Sequence, residues 1–284
     1  MVTNGLSEPK TKKEVYVRMM RMARLTKLAG ATLLLLPVLA EAHSLWINAT
    51  RYFVELERPK TTVYIGWGHR FPADDIPRPG LIRGTWLICP DGRRVELRLS
   101  KGGFGATTVK FDREGTYILT ADVTPGFYTM VLDDMGELHH ILGPKTEAKG
   151  KVLLSLYYEQ YAKALVTVGM GDGNFSRTVG QRLEIVPLSD PARLKVGDFL
   201  PVKVLFEGKP ASFCWLFATY AGFSTDQDAY AYATNAGLDG TARIKLLHSG
   251  QWLVRAVLKR PPSPGRRGKC DWESYTATLT FALR

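Results

Sequence analysis

Beyond residue 42 the chain is punctuated throughout: short runs of β-branched and aromatic residues alternate with clusters of Gly, Pro, Asn and Asp, and no long amphipathic helical period interrupts them. A run of that length with turn chemistry at both ends can bury one face as a strand, but it is too short to hold a helix. Thr61-Thr62-Val63-Tyr64-Ile65-Gly66-Trp67 and Gly84-Thr85-Trp86-Leu87-Ile88-Cys89 are such runs, and Asp91-Gly92 is a hairpin signal leading from the second to Val95-Glu96-Leu97-Arg98-Leu99. Residues 107–111 and 115–121 read as the next hairpin, across a turn at Arg113-Glu114. Residues 151–158 fit a strand or a short helix, and residues 162–168 a strand. Further strands are expected at 183–188, 200–206, 211–219, 241–247, 252–258 and 275–283. In the last, Tyr275, Ala277, Leu279, Phe281 and Leu283 share one face and threonines take the other. The expected fold class is all-β, with two β-sandwich domains. Residues 43–178 form the first. Residues 179–284, with seven or so strands, form an immunoglobulin-like or transthyretin-like second.

Residues 1–42 read as an address and not as fold. A basic stretch at 18–27 precedes an apolar run from Leu28 to Leu39, and Ala40-Glu41-Ala42 is the small-x-small pattern of a signal-peptidase site. The apolar run is too short to cross roughly 30 Å of hydrocarbon as a permanent helix. The expectation is a periplasmic protein, exported through a cleavable signal peptide, with no permanent membrane span and His43 as its first residue. An uncleaved N-terminal anchor is the alternative.

Composition then excludes some partners. The formal charge of +11 drops once the leader is set aside, because residues 43–284 hold 31 basic against 24 acidic residues, a surplus of seven. A surplus that mild aids solubility and does not argue for nucleic acid. The basic loop at 260–269 lacks interleaved aromatics and reads as a solvated tip. Gly169-Met170-Gly171-Asp172-Gly173 lacks the spacing of a nucleotide loop. Cys89, Cys214 and Cys270 lie too far apart for a sequence-local zinc site, and Cys214 reads as core. No Ser-His-Asp or Cys-His motif is legible, which neither shows nor excludes a triad, and the chain is read as a non-enzyme.

The five histidines carry the chemistry. A histidine freed at an N terminus offers its α-amino nitrogen and its imidazole to one ion. An α-amino group titrates at about pH 8 and an imidazole at about 6.5, so both can serve as neutral ligands at periplasmic pH. Such nitrogen donors suit Cu(II) or Ni(II), with zinc possible. His43 is that histidine, and His69 in Gly66-Trp67-Gly68-His69-Arg70-Phe71-Pro72, ahead of Asp74-Asp75, is the first candidate to join it. A solvated terminus and a hydrogen-bonding structural histidine are the plainer readings of the two. His139 and His140 are neighbours on a strand, so at most one can face a given site. His248 fits a turn. Asp226, Asp228 and Asp271-Trp272-Glu273 are possible oxygen donors.

The opening Ala42-His43-Ser44-Leu45-Trp46 and the Gly68-His69-Arg70-Phe71-Pro72 motif resemble the DUF4198 family. Tyr161-Ala162-Lys163-Ala164-Leu165, Leu183-Glu184-Ile185-Val186-Pro187, Leu205-Phe206-Glu207-Gly208-Lys209-Pro210 and Gly250-Gln251-Trp252-Leu253-Val254 continue the likeness over the mature chain. The resemblance implies an exported bacterial protein of the kind labelled as a periplasmic component of nickel or cobalt uptake, with His43 and His69 on the shared motifs. Ser44 stands where the commoner family opening has Asp, so the carboxylate that Asp would bring is absent. Together these readings lead to a divalent transition-metal-binding protein (nickel, cobalt or copper) with His43 and His69 as ligands. An inner-membrane metal transporter is its possible partner. One rival is an interaction or carbohydrate-binding module in which Trp215, Tyr220, Tyr230 or Tyr232 stack on sugars. The other is a copper histidine-brace enzyme.

Overall fold

The structure, a computed structural model, describes residues 43–284. The expected leader lies outside the described residues. Among these, eighteen strands build three sheets. One outer sheet runs β1 (Ser44–Ala49), β3 (Lys60–Gly68), β6 (Thr107–Lys110). The other centres on β12 (Phe199–Phe206), which pairs with β11 (Leu183–Pro187), β13 (Lys209–Pro210) and β16 (Thr241–Lys245).

Between them lies the large sheet. Its order is β15 (Tyr232–Asn235), β14 (Trp215–Tyr220), β17 (Gly250–Arg260), β18 (Trp272–Leu283), β10 (Lys151–Val168), β7 (Gly115–Val123), β4 (Ile82–Ile88), β5 (Arg94–Glu96). β2 (Phe53–Val54) pairs with β10. So does the hairpin of β8 (Gly126–Leu132) and β9 (Leu138–Ile141), through β8. No helix among the described residues is long and apolar enough to cross a membrane.

The alternation of side chains makes the middle sheet serve two cores. On β10, Ala162, Ala164, Val166 and Val168 pack with Leu45, Ile47, Val63 and Leu119 in the first core. Tyr161 and Leu165, on the opposite face, join Ile185, Val202, Trp252 and Phe281 in the second. The apolar face expected on β18 is observed, since Tyr275, Ala277, Leu279, Phe281 and Leu283 all enter the second core. The threonine face is buried too. Thr278 Oγ1 donates to Leu45 O at 2.7 Å and Thr280 Oγ1 to Ile47 O at 2.5 Å, so carbonyls on the edge of β1 not used by β3 are satisfied by side chains.

One expectation about the chain path needs correction. Residues 107–111 and 115–121 do not form a hairpin, because β6 pairs with β3 and β7 pairs with β4 and β10. The turn is a corner between sheets: Phe111 and Tyr117 meet across the core with ring centres 4.6 Å apart. The Tyr117 hydroxyl accepts from Asp112 N and Arg113 N and donates to Asp112 Oδ1 at 2.7 Å, which locks the bend. The strand-or-helix ambiguity at 151–158 resolves as one strand of 18 residues continuing through 168.

The expected domain boundary at 178/179 falls between β10 and β11, and strands from both halves, β10 before it and β14, β15, β17 and β18 after it, share the middle sheet. β10 pairs in parallel with β18, from Leu156 opposite Trp272 to Ala164 opposite Thr280. The described residues accordingly cluster as one unit. At this seam Lys163, 1% exposed, donates to Glu184 Oε1 at 2.6 Å and to Ile185 O at 3.1 Å. The cysteines are free and buried, with Cys214 in the second core as expected.

Candidate metal centre

His43 precedes β1 and is fixed from beneath by one side chain of β10: Gln160 Nε2 donates to His43 O at 2.7 Å, and Gln160 Oε1 accepts from Leu45 N at 2.9 Å. His69 follows β3, which runs antiparallel to β1 with Ser44 opposite Gly68 and Trp46 opposite Gly66. Gly66 is required by close approach, for a Cβ there would lie inside the Trp46 indole. Gly68 is required by conformation as well as space, with φ +138° and the Asp74 carboxylate 2.5 Å from where a Cβ would be. The loop after His69 is drawn back onto β1, because Pro72 O accepts from Trp46 Nε1 at 2.9 Å and Asn48 Nδ2 at 2.8 Å.

Two aspartates then act differently. Asp74 is structural: it accepts from His69 N at 2.8 Å, Arg70 N at 3.2 Å and Arg70 Nε at 2.8 Å. Burial pushes its carboxyl up, but these donors and the Arg70 charge together hold it below the usual carboxylate value. Asp75, whose N–H donates to Trp67 O at 2.8 Å, turns outward to His43. The His43 Nε2–Asp75 Oδ2 distance is 2.9 Å, and the His43 ring lies parallel to Trp67 within 6° at 5.5 Å.

The second half of the chain completes the site. Asp228 donates its N–H to His69 O at 3.0 Å, and its Oδ2 lies 2.9 Å from His69 Nδ1. Its φ of +51° is a conformation that non-glycine residues seldom adopt. Behind it the buried Arg255 donates to the Tyr230 hydroxyl at 2.6 Å and stands 4.0 Å from Asp228 Oδ1. Burial brings the Arg255 guanidinium down to about 10, still charged at neutral pH. The hydrogen bond to Asp228 raises the His69 imidazole above its ordinary value. Burial opposes that shift, and the charges of Asp228, Asp74 and Asp75 add to it.

The two histidines, 26 positions apart in sequence, thus lie side by side with ring centres 4.7 Å apart. Two imidazoles on one ion, with metal–nitrogen bonds of about 2 Å, hold their ring centres roughly 4.5–6.5 Å apart depending on the angle between them. The observed spacing fits that range, and nitrogen donors flanked by carboxylates suit a divalent transition ion.

Of the other candidates, all but Asp226 lie elsewhere. His139 and His140 point to different partners, His139 Nε2 lying 2.8 Å from Asp133 Oδ2 and His140 against the Tyr128 hydroxyl. Asp133, Glu137 and His139 bring ligand atoms within 4.8 Å of one another on the exposed β8–β9 turn, where Asp133 Oδ1 already caps Met135 N and Glu137 N. His248 stacks on Tyr220 at 4.7 Å in a turn. Asp271 is taken by Lys145 and by Ser155 N, and Glu273 by Ser263, Arg266 and Tyr275. Asp226 lines the cleft beside His69 with Ser44, Thr219 and Tyr230.

Of the aromatics considered for stacking, Trp215 stands clear of the core at 53% exposure, while Tyr220 and Tyr232 pack against it. Arg255 and Gln160 escaped sequence reading. The trace left by Arg255 is a charge inside the apolar run Trp252-Leu253-Val254-Arg255-Ala256-Val257.

Among curated proteins none matches the sequence. Solved structures with related features include the D0-D1 domain of Intimin, at 12% identity over 84% of this chain and 97% of that one, with a TM-score of 0.21. Another is the fibronectin(III)-like modules of Clostridium thermocellum CbhA, at 6% identity over 84% and 94%, with a TM-score of 0.19. A DUF3823 family protein from Bacteroides uniformis shares 13% identity over 85% and 99%, with a TM-score of 0.23. Residues 40–260 match the family model described as "Domain of unknown function (DUF4198)", a span that holds both histidines, Asp75, Asp228 and Arg255. The chain belongs to the DUF4198 family.

Proposed function

We propose that this is an exported protein which, once its leader is removed after Ala42, binds one divalent transition-metal ion through His43 and His69. In this reading it serves as an accessory of nickel, cobalt or copper uptake or handling and catalyses no reaction. The freed His43 supplies its amino and imidazole nitrogens, and His69 supplies an imidazole. The supporting observation is the 4.7 Å juxtaposition of two histidines from separate motifs, each with a carboxylate on one ring nitrogen. Delivery to an inner-membrane transporter is the partner this role requires.

The test is to purify the exported form, read its N terminus by intact mass, and titrate it with Cu(II), Ni(II), Co(II) and Zn(II) beside His43→Ala. One tight equivalent that disappears in the variant is expected, and the preferred ion names the metal. Equal binding by the variant, or none by either, removes the reading. The exposed Trp215, with its ring near Phe217 at 6.2 Å, favours a glycan-binding module as the second reading. Glycan binding without metal, abolished by Trp215→Ala, would decide for it.

A further inference from the structure

Each histidine of the centre has one ring nitrogen engaged by a carboxylate, and the engaged nitrogen is not the same in the two. An ionised carboxylate only accepts, so the nitrogen facing it must carry the hydrogen. His43 Nε2 therefore donates to Asp75, and His69 Nδ1 donates to Asp228, at 2.9 Å in both cases. In the neutral rings the lone pairs are left on His43 Nδ1 and His69 Nε2, neither of which has a hydrogen-bond partner among the described residues. The choice at His43 matters chemically. Nδ1 is the nitrogen close enough to the backbone to close a six-membered chelate with the α-amino group of the same residue.

Resting on the proposed metal-binding reading, we infer that the ion is held by His43 Nδ1 and His69 Nε2, with Asp75 and Asp228 as positioning carboxylates outside the coordination sphere. Asp228 is the more constrained of the two. Its backbone takes a left-handed φ of +51°, its N–H is tied to the His69 carbonyl, and its second oxygen faces the buried Arg255. Three separate constraints fix one carboxylate against one imidazole. That arrangement selects the tautomer and the ring orientation a ligand needs. Because Asp228 belongs to the loop before β15, the half of the chain that contributes no ligand sets the geometry of the half that does.

The experiment uses the leader-free protein and Cu(II) alone as the probe, comparing wild type, Asp228→Ala, Asp228→Asn and His69→Ala. Affinity is read by titration. The imidazoles are read by electron spin-echo modulation, which senses the remote N–H of each coordinated ring. The expected result is a fall of about 10–100-fold in affinity for Asp228→Ala with copper still bound, and an altered remote-nitrogen coupling for one imidazole. Asp228→Asn keeps a carbonyl acceptor and tolerates the backbone conformation, so it recovers most of the affinity. His69→Ala loses that imidazole from the spectrum.

Unchanged affinity and coupling in Asp228→Ala overturn the assignment. So does loss of a directly bound oxygen in that variant, which would make Asp228 a ligand. Failure of the parent reading shows differently, as a wild-type protein that takes up no copper at all.

Discussion

At the scale of single residues, the raised imidazole of His69 has two consequences of opposite sign in pH. The folded value lies above the ordinary 6.5, so the pair with Asp228 adds stability that is complete below about pH 6.5 and is lost as pH rises through the folded value. His69→Gln is therefore expected to lower the denaturant midpoint more at about pH 5.5 than at about pH 9. On the proposed metal-binding reading, uptake runs the other way, because the ion would need the unprotonated ring and would compete with a proton held more firmly than usual. The apparent affinity is expected to climb through and above pH 6.5 in a series of titrations, and a flat profile would separate His69 from the ion. A packing constraint acts one strand away: Gly66→Ala places a methyl group in the space of the Trp46 indole. A cost of about 1–3 kcal/mol in urea unfolding is expected and, if the proposed metal-binding reading holds, weakened uptake as β1 shifts.

Among the elements, β10 carries the largest share of the architecture and the most exposed risk. Lys163 and Glu184 neutralise each other inside the protein, and Glu184 also accepts from Val179 N and Gly180 N. Lys163→Met leaves a buried carboxylate without its cation, so a loss of about 3–5 kcal/mol is expected in chemical denaturation. Adding Glu184→Met should return much of it, since both charges then leave together.

The legibility of these elements from sequence was uneven for physical reasons. The apolar face of β18 was readable because one side of a strand repeats every second residue. Its threonine face resembled a solvent face, and nothing local indicates that β1 lies over it. The stretch at 107–121 carried a hairpin signal that is equally satisfied by a corner between sheets, and the Phe111–Tyr117 contact decides between them only in three dimensions. In the site, the two histidines stood out through their motifs, whereas Asp228 reaches His69 across 159 positions and Arg255 showed only as a charge in an apolar run.

For the whole molecule, the shared middle sheet couples both cores. Separating residues 43–178 from 179–284 would strip the β10–β18 ladder and uncover buried threonines. The described chain is therefore expected to unfold in one transition, with tryptophan fluorescence and far-ultraviolet circular dichroism giving coincident curves. Two resolved transitions would show the halves to be independent. Acid sensitivity belongs to the same scale, because Glu273 anchors the β17–β18 connection. Burial pushes its carboxyl up, but Ser263, Arg266 and Tyr275 more than compensate and hold it at about 2. Its contribution is thus present above the ordinary 4.5 and is lost as pH falls through about 2. Glu273→Gln should cost stability at neutral pH and almost none near pH 2, as read from denaturant midpoints across that range.

The threonine contacts also impose an order in time. β1 leaves the ribosome first, yet the hydroxyls that hold its edge belong to β18, 233 positions later. The ladder of β1 with β3 needs only residues close by in sequence, whereas the cover on its other edge waits for the end of the chain. A chain that lacks β18 would keep the β1–β3 ladder that sets the two histidines side by side, but would leave the carbonyls of Leu45 and Ile47 without their hydroxyl donors.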